Sequence, residues 1–286
     1  MVSKKRLLVI GSKGLIGKSF IEEYKKKFKI FECGRKDNLK KILAKTKPNL
    51  IFNTSGEPYF EPKMFESNLL LVKRLIEYLR KNSNCYLLHL GSSSEYGRCN
   101  FPSKETTSLK PETPYEATKS ASSMLLIGYA KSYNLKAIIV RPYCVYGYHS
   151  KPNLLIPLIL QTILDDSSMK IYRGFHDFIY VKDFVRGIFV LLNNRKKWKP
   201  GEIINMGSGK QISNYQVLKE IKKVFGKKKG KFKIINKHFK TFDSDKWVSN
   251  SKYIQKKYNF KIKYNFRSSL IDMKKEFLKK TNFIFE

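Results

Sequence analysis

Short apolar runs alternate with helix-period segments through the first half of the chain. The apolar runs are Leu7–Ile10, Ile30–Cys33, Leu50–Asn53, Tyr86–Leu90 and Ala137–Val140, and the helical segments lie near 15–27, 38–46, 64–81 and 115–133. Strands that are buried on both faces read as continuous apolar runs, and their alternation with helices is typical of βαβ units in a parallel sheet. Because such crossovers are right-handed, the pattern predicts an α/β fold with a doubly wound parallel sheet.

The pattern loosens after residue 147. A proline-containing apolar segment at 152–164 precedes a short strand signal at 170–172, and helix-like stretches follow near 182–193, 213–225 and 268–280. We therefore predict a smaller C-terminal α+β lobe at the carboxyl ends of the strands. The boundary falls between 1–147 and 148–286, with some later segments returning to the first part.

Composition predicts a folded protein with an excess of positive charge. Hydrophobic residues make up 42% of the 286 positions, and 58 Lys+Arg against 23 Asp+Glu give a net charge of +35. Such a charge is compatible with nucleic acid, an anionic membrane surface or phosphorylated small molecules. The lysine runs are typical of solvated surface, and no arginine-rich tract, zinc-finger spacing or aromatic RNA-binding consensus accompanies them. Nothing specific in the sequence favours a nucleic-acid partner.

The spacing of the cysteines and the length of the apolar stretches indicate the cellular location to expect. Cys33, Cys85, Cys99 and Cys144 show neither a CxxC nor a disulfide-like spacing, and no signal peptide is visible. The apolar stretch Leu154–Leu164 is too short to span a bilayer. The prediction is a reduced, soluble, cytoplasmic protein with no membrane partner and no metal site.

The first predicted strand runs directly into a glycine turn with GxxGxxG spacing, formed by Gly11, Gly14 and Gly17. Gly11 allows the tight turn, Gly14 lets backbone N–H groups approach a pyrophosphate, and Gly17 permits close packing of the next helix. Leu15 and Ile16 open that helix, whose N-terminus favours an anion. A glycine turn between a first strand and an amphipathic helix predicts an NAD(P)-binding Rossmann domain over 1–147.

Charged residues after the second strand address the choice of cofactor. Glu32 lies about where an acid would bond the ribose 2′-OH of NAD(H). Arg35 and Lys36 follow and are placed to hold the 2′-phosphate of NADP(H) instead. Because two cations outweigh one acid, the sequence favours NADP(H), with NAD(H) as the alternative.

A catalytic set is predicted from two further motifs. Tyr115 and Lys119 form a YxxxK pair at the start of a predicted helix, which places both on one face. A nearby ammonium favours phenolate and is expected to lower the phenol pKa. The strand ending at residue 90 leads into the serine cluster Ser92–Ser94, whose hydroxyls would face the cofactor crevice beside Tyr115.

Together these motifs resemble the extended short-chain dehydrogenase/reductase family, specifically its nucleotide-sugar epimerases, dehydratases and reductases. The resemblance covers nearly the whole chain and includes Asn53–Gly56, Asn68, Arg141–Gly147, His176–Asp183, Asn205–Gly209 and Ser249–Lys252. It implies an enzyme of carbohydrate biosynthesis that exchanges hydride between a nicotinamide nucleotide and a nucleotide sugar. It also implies that Ser92, Tyr115 and Lys119 are catalytic.

The resemblance implies further site residues. Cofactor contacts are expected from the turn Thr54, Ser55 and Gly56, and from Tyr115 and Lys119, of which the lysine can bond the cofactor ribose hydroxyls. Substrate contacts are expected from Ser92, Ser93, Ser94, Tyr143, Cys144 and His176. Cys144 replaces an asparagine of the family pattern and His176 an arginine, so the identity of the sugar is open. The lobe 148–286 is expected to bind mainly substrate, and a homodimer is expected through the helices near 64–81 and 115–133.

Departures from the family pattern narrow the reaction. Family dehydratases carry Asp-Glu after the catalytic hydroxyl residue, whereas Ser93 and Ser94 stand there in this chain, which disfavours dehydration. The cysteine that bifunctional 3,5-epimerase/reductases use at the position of Ser94 is also absent. Reduction of a 4-keto sugar is favoured, and 4-epimerisation with recycled NAD is the alternative. A non-catalytic, RNA-associated binding protein is a further alternative, against which an intact Ser92, Tyr115 and Lys119 set argues.

Overall fold

The computed structural model describes residues 4–99, 101–226, 230–239 and 245–280. The strands are β1 (Arg6–Ile10), β2 (Lys29–Cys33), β3 (Leu50–Asn53), β4 (Tyr86–Leu90), β5 (Ala137–Pro142), β6 (Cys144–Tyr146), β7 (Ser168–Arg173), β8 (Phe175–Tyr180), β9 (Glu202–Met206), β10 (Gln211–Ser213) and β11 (Lys231–His238). Six of them form a parallel sheet in the order β2-β1-β3-β4-β5-β9. The predicted doubly wound sheet is confirmed.

Most helices follow the predicted helix-period segments. The helices are α1 (Leu15–Tyr24), α2 (Leu39–Thr46), α3 (Glu61–Met64), α4 (Leu71–Lys81), α5 (Pro114–Ser132), α6 (Leu155–Leu164), α7 (Val181–Asn193), α8 (Asn214–Phe225), α9 (Lys252–Tyr258) and α10 (Phe266–Lys280). Helices α3 and α9 were not predicted, and α6 was expected only as an apolar segment. A π-helical turn, Phe65–Leu70, joins α3 to α4, so the predicted helix over 64–81 is interrupted near its start.

The central sheet is buried on both faces, as its continuous apolar strands predict. Leu7 and Val9 of β1 face one core with α1 and α7, whereas Leu8 and Ile10 face a second core with α2, α4 and α5. All four side chains are at most 3% exposed. The chain passes outward from β1 to β2 and then returns to β3, so its direction reverses beside β1. In open α/β sheets, ligands bind in the crevice at the carboxyl ends of the strands where this reversal occurs.

The second half of the chain forms smaller sheets and also completes the central one. Strands β10, β8 and β6 make a three-stranded sheet, and β11 pairs with β7. Strand β9 returns to the central sheet beside β5. A smaller α+β part is therefore confirmed, whereas the boundary at residue 147 and the assignment of 148–286 to substrate stay predictions.

Candidate active site

The glycine turn packs so closely that two of its positions leave no room for a side chain. Gly11 has a φ of +79°, a conformation that side-chain-bearing residues rarely adopt. A Cβ at Gly17 would lie 2.5 Å from the Gly11 carbonyl oxygen, so α1 starts directly against the turn. Gly14 caps α1 without a side-chain hydrogen bond. The N–H groups at the start of the helix, including those of Leu15 and Ile16, can therefore bind an anion.

The turn after β3 braces the glycine turn. Thr54 Oγ1 donates a hydrogen bond to the Gly11 carbonyl oxygen at 3.1 Å. Ser55 Oγ donates to Asn53 Oδ1 at 2.7 Å. The side chains of Thr54 and Ser55 thus hold the backbone of this turn in place. Gly56 continues the turn toward Lys119.

The charges after β2 differ from the arrangement expected for NADP(H). Arg35 Nη2 lies 2.7 Å from Glu57 Oε2 and forms an ion pair with it. Glu32 and Lys36 are exposed. One of the two cations that favoured NADP(H) in the sequence is therefore already paired with an acid, which the sequence motif did not reveal.

The serine cluster caps a short helical turn at the end of β4. Ser92 is the N-cap of the 3₁₀ turn Ser93–Tyr96, and its hydroxyl lies 2.6 Å from that of Ser94. Ser93 Oγ instead accepts a hydrogen bond from Trp247 Nε1 at 3.2 Å. Trp247 comes from the second half of the chain, so the cluster is contacted from both parts of the protein.

Helix α5 brings the predicted tyrosine and lysine to this turn. Thr113 caps α5 and accepts a hydrogen bond from the Glu116 N–H, so Tyr115 lies in the first helical turn and Lys119 in the next. The buried Lys119 Nζ donates to the Leu90 carbonyl oxygen at 2.5 Å. A Cβ at Gly56 would lie 3.9 Å from the same nitrogen. The lysine thus links the end of β4 to the turn after β3.

Burial sets the pKa values of both groups. Burial raises the pKa of Tyr115 to about 12, with a hydrogen bond from the Ser92 hydroxyl acting in the opposite direction. Burial also lowers the pKa of Lys119 to about 8, opposed by the charge of Glu95. The net pKa of Tyr115 is therefore raised in the protein alone, and the expected lowering by the lysine stays a prediction. Its ammonium is directed to the Leu90 carbonyl, and desolvation of the phenolate is the larger effect.

A buried ion pair supports the serine cluster from beneath. Glu95 and Arg141 are both 0% exposed, and Arg141 Nε lies 2.9 Å from Glu95 Oε2. Glu95 Oε1 accepts hydrogen bonds from the Ser92 N–H at 2.7 Å and from Ser123 Oγ at 3.0 Å. The sequence did not indicate this role of Glu95, because its partner Arg141 is 46 residues away and the pair forms only in the folded protein.

Two more buried groups near the site have roles that the sequence did not show. His89 on β4 accepts a hydrogen bond at Nδ1 from Asn53 Nδ2 at 3.0 Å, and burial holds its pKa well below the usual range. Asn68 holds the main chain of Glu57 and donates from Nδ2 to Thr118 Oγ1 at 3.0 Å. Asn68 had matched a family motif, but its role as a brace between α5 and the turn at Glu57 needed the tertiary structure.

Of the predicted substrate residues outside the serine cluster, Cys144 lies on β6, Tyr143 directly before it, and His176 on β8, which pairs with β6. Cys144 is the register partner of Phe178, and the His176 ring packs against the Phe178 ring at 5.6 Å. Burial raises the pKa of the Cys144 thiol to about 12 and also raises that of Tyr143. Both groups are therefore neutral near pH 7. The buried Asp177 accepts hydrogen bonds from the 208–209 and 249 segments and fixes this sheet.

Other features of the structure are separate from this arrangement. A cleft of about 410 Å³ is lined by residues that include Phe178, Ile212, Tyr264 and Phe266, with none of the predicted catalytic residues. No group of three or more metal-ligating side chains is found among the described residues. Within the same residues, no helix is long and apolar enough to cross a bilayer. The cytoplasmic location stays a prediction.

The glycine turn, the serine cluster and the YxxxK pair all lie within the part of the chain that matches a known protein family. The model of the NAD dependent epimerase/dehydratase family matches residues 7–207, which includes the glycine turn, the serine cluster and the YxxxK pair. The chain belongs to this family. The resemblance to the family of nucleotide-sugar epimerases, dehydratases and reductases is confirmed, whereas the individual reaction is not identified by this match.

Individual relatives agree with the family assignment. An uncharacterized UDP-glucose epimerase of Bacillus subtilis is 29% identical over 164 residues, covering 56% of this chain and 51% of that protein. The chain spans about half the length of the curated relatives it matches, at 51% and 46% for two of them.

Solved structures show the same fold. The dTDP-glucose 4,6-dehydratase of Bacillus anthracis in complex with NAD has a TM-score of 0.86 at 21% identity, covering 96% of this chain and 97% of that one. The UDP-glucose 4-epimerase of Thermus thermophilus in complex with NAD has a TM-score of 0.84 at 18% identity, covering 96% and 100%. The lean to NADP(H) receives no support from these complexes.

Proposed function

We propose that the protein is an NAD-dependent enzyme that transfers hydride at carbon 4 of a nucleoside-diphosphate sugar. The observation that carries the proposal is the meeting of Ser92, Tyr115 and Lys119 at the carboxyl edge of the sheet. Lys119 Nζ lies near Gly56, whose turn is bonded through Thr54 to the glycine turn. The catalytic set and the phosphate-binding turn are thus parts of one continuous edge.

The residues of this edge fit a dinucleotide. A Cβ at Gly11 would lie 2.7 Å from Thr54 Oγ1, so only glycine fits the tight turn that precedes the phosphate-binding helix start. Gly14, Leu15 and Ile16 would bind the pyrophosphate through the start of α1. The nicotinamide, when bound, supplies or accepts hydride.

The chain's own residues handle the proton. With a pKa of about 12, Tyr115 is protonated near neutral pH and can donate its proton to a sugar oxygen during reduction. The Ser92 hydroxyl can hydrogen-bond the same oxygen and orient it. When Tyr115 has released its proton, the Lys119 ammonium stabilises the phenolate that remains. The reverse sequence returns the proton when the sugar is oxidised.

The favoured reaction is 4-epimerisation with recycled NAD. The Bacillus subtilis relative is named a UDP-glucose epimerase, and the Thermus thermophilus epimerase structure holds NAD. Dehydration, the activity named for the Bacillus anthracis protein, requires an acid/base pair, but Ser93 and Ser94 are neutral hydroxyls. Glu95 is buried in its ion pair with Arg141.

Reduction of a 4-keto sugar is the second candidate. The observation that favours it is a cluster of cations near the end of β2. A Cβ at Gly34 would lie 3.7 Å from Lys13 Cε, and Arg35 follows directly. Cations at this position suit NADP(H), the usual donor for an exchangeable reduction.

Identification of the nucleotide released from the denatured protein by mass spectrometry tests the proposal. Stoichiometric NAD, with formation of the 4-epimer from a UDP-sugar without added cofactor, is expected. Consumption of added NADPH with a 4-keto nucleotide sugar would support the second candidate. Absence of both nucleotide binding and turnover would refute the proposed function.

We also propose that the protein forms a homodimer through α4, α5 and the π-helical turn. Phe65 lies on the π-helical turn, Met124 on α5 and Tyr133 directly after α5. Each is more than half exposed, which is unusual for large apolar side chains. Light scattering on the purified protein is expected to give twice the chain mass. A Met124→Lys change is expected to shift the protein toward the monomer.

A further inference from the structure

We propose that Glu57 selects NAD over NADP by holding Arg35 in an ion pair across the cofactor edge of the sheet. This inference rests on the proposed dinucleotide site and adds the residue that decides between the two cofactors. It assigns the discriminating acid to the turn after β3, whereas the sequence placed it at Glu32 on β2.

The position of the pair follows from the strand order. Arg35 comes after β2 and Glu57 after β3, and β1 lies between these strands. Because neighbouring strands lie about 4.8 Å apart, the pair reaches across roughly 10 Å of the sheet edge, over the end of β1. The glycine turn starts at that same end. A dinucleotide bound in the crevice therefore passes the ion pair, with its adenosine ribose on the β2 side.

Glu57 is fixed as an ionised acid. Its side chain is 6% exposed, and Oε1 accepts hydrogen bonds from the N–H groups of Tyr59 at 3.1 Å and Phe60 at 3.2 Å. Although burial raises the pKa of Glu57, these two hydrogen bonds and the charge of Arg35 hold it below its usual range. Asn68 bonds the Glu57 main chain in both directions. The carboxylate cannot easily turn away from Arg35.

This arrangement disfavours a 2′-phosphate. Arg35 is the cation that would hold such a phosphate, and a phosphate bound there would face the Glu57 carboxylate at close range. Two like charges separated by a few ångströms repel each other, and the repulsion is stronger here than in bulk water because the Glu57 side chain is only 6% exposed. The neutral 2′-OH of NAD meets no such repulsion. Without the Glu57 charge, Arg35 would be available to a phosphate. Lys13 lies nearby beside Gly34, where the Asp37 carboxylate accepts a hydrogen bond from the Gly34 N–H at 2.7 Å.

Calorimetric titration of the cofactor-free protein with NAD⁺ and NADP⁺ tests the proposal, because it measures binding without turnover. Glu57→Gln keeps an oxygen acceptor for the N–H groups of Tyr59 and Phe60 while removing the charge. We expect this variant to bind NADP⁺ at least about tenfold more tightly than wild type, with NAD⁺ affinity changed by less than about threefold. Adding Arg35→Ala is expected to abolish the gain.

Glu66→Gln is the matched control, because it breaks a surface ion pair of similar length, 2.6 Å to Arg74, away from β2. It should leave both affinities unchanged. If Glu57→Gln does not fold, the single change Arg35→Ala replaces it, since this side chain is 60% exposed. With Glu57 left unpaired, that variant should bind NADP⁺ less tightly and NAD⁺ almost normally.

Unchanged NADP⁺ affinity in Glu57→Gln, or in Arg35→Ala where that variant replaces it, would overturn the inference. So would a wild type that binds NADP⁺ more tightly than NAD⁺. In both cases the proposed function could still hold, because dinucleotide binding would persist. A wild type that binds neither dinucleotide would refute the proposed function and this inference together.

Discussion

Replacing Arg141 with methionine would leave Glu95 as an unpaired carboxylate directly beneath Ser92. Both side chains are fully buried, and Glu95 also accepts hydrogen bonds from the Ser92 N–H and from Ser123 Oγ. Methionine has a similar reach and no charge. The change therefore tests how strongly the buried pair holds the serine cluster.

The expected loss is large and depends on pH. Removing one partner of a buried ion pair typically lowers the free energy of unfolding by about 3–5 kcal/mol. Burial already raises the pKa of Glu95, and Arg141 opposes that shift, so the variant's carboxyl should have a still higher pKa. A carboxyl with a raised pKa makes the folded state bind more protons than the unfolded state, so stability rises as pH falls. The deficit should therefore be smaller at pH 5 than at pH 7.5.

Urea unfolding at the two pH values measures this effect. The set comprises wild type, Arg141→Met, Glu95→Gln and the double variant. Because a neutral pair of similar volume often replaces a buried ion pair without loss, the double variant should recover most of the deficit. If Arg141→Met lowers the free energy of unfolding by less than about 1 kcal/mol, or by the same amount at both pH values, the reasoning is refuted.

Two further predictions concern the lysine and the glycine turn. Burial lowers the pKa of Lys119 to about 8, so between pH 8 and its ordinary 10.5 the unfolded state binds more protons, and stability rises with pH. One pKa unit corresponds to about 1.4 kcal/mol, so the free energy of unfolding of wild type should rise by roughly 3 kcal/mol relative to that of Lys119→Met between pH 7.5 and 10.5. Urea unfolding measures this difference, and a difference that stays constant with pH would contradict the prediction. Gly11→Ala should lower the free energy of unfolding by about 1–3 kcal/mol and weaken NAD⁺ binding, because Gly11 has a φ of +79° and lies close to Thr54. The control Gly128→Ala, whose Cβ would meet nothing within 4 Å, should lose neither, and equal behaviour of the two variants would refute the assigned role of the turn.

The sequence predicted those parts of the fold that local pattern determines. Strands β1 to β5 are continuous apolar runs buried on both faces, and the glycine turn needs residues without side chains. Strands β6 and β10 were missed because each has three residues and forms only through distant partners, such as Ile212 with His176.

The missed parts of the site depend on tertiary contacts. Arg35 and Glu57 are 22 residues apart in the sequence. They meet because the strands that they follow, β2 and β3, both pair with β1 in the folded sheet. The sequence motif contained the two cations Arg35 and Lys36 but gave no sign that Glu57 pairs with Arg35. Likewise, the YxxxK spacing placed Tyr115 and Lys119 on one face, but it contained no information about burial, which determines both pKa values.

In the proposed reaction, Tyr115 transfers the proton while the edge of the sheet binds the dinucleotide. Tyr115→Phe removes only the hydroxyl, so NAD⁺ affinity measured by calorimetry should stay within about threefold of wild type. Turnover of whichever nucleotide sugar the wild type converts should fall by about 10²–10⁴-fold, the usual contribution of a general acid. Turnover retained within tenfold of wild type, with NAD⁺ still bound, would contradict the account.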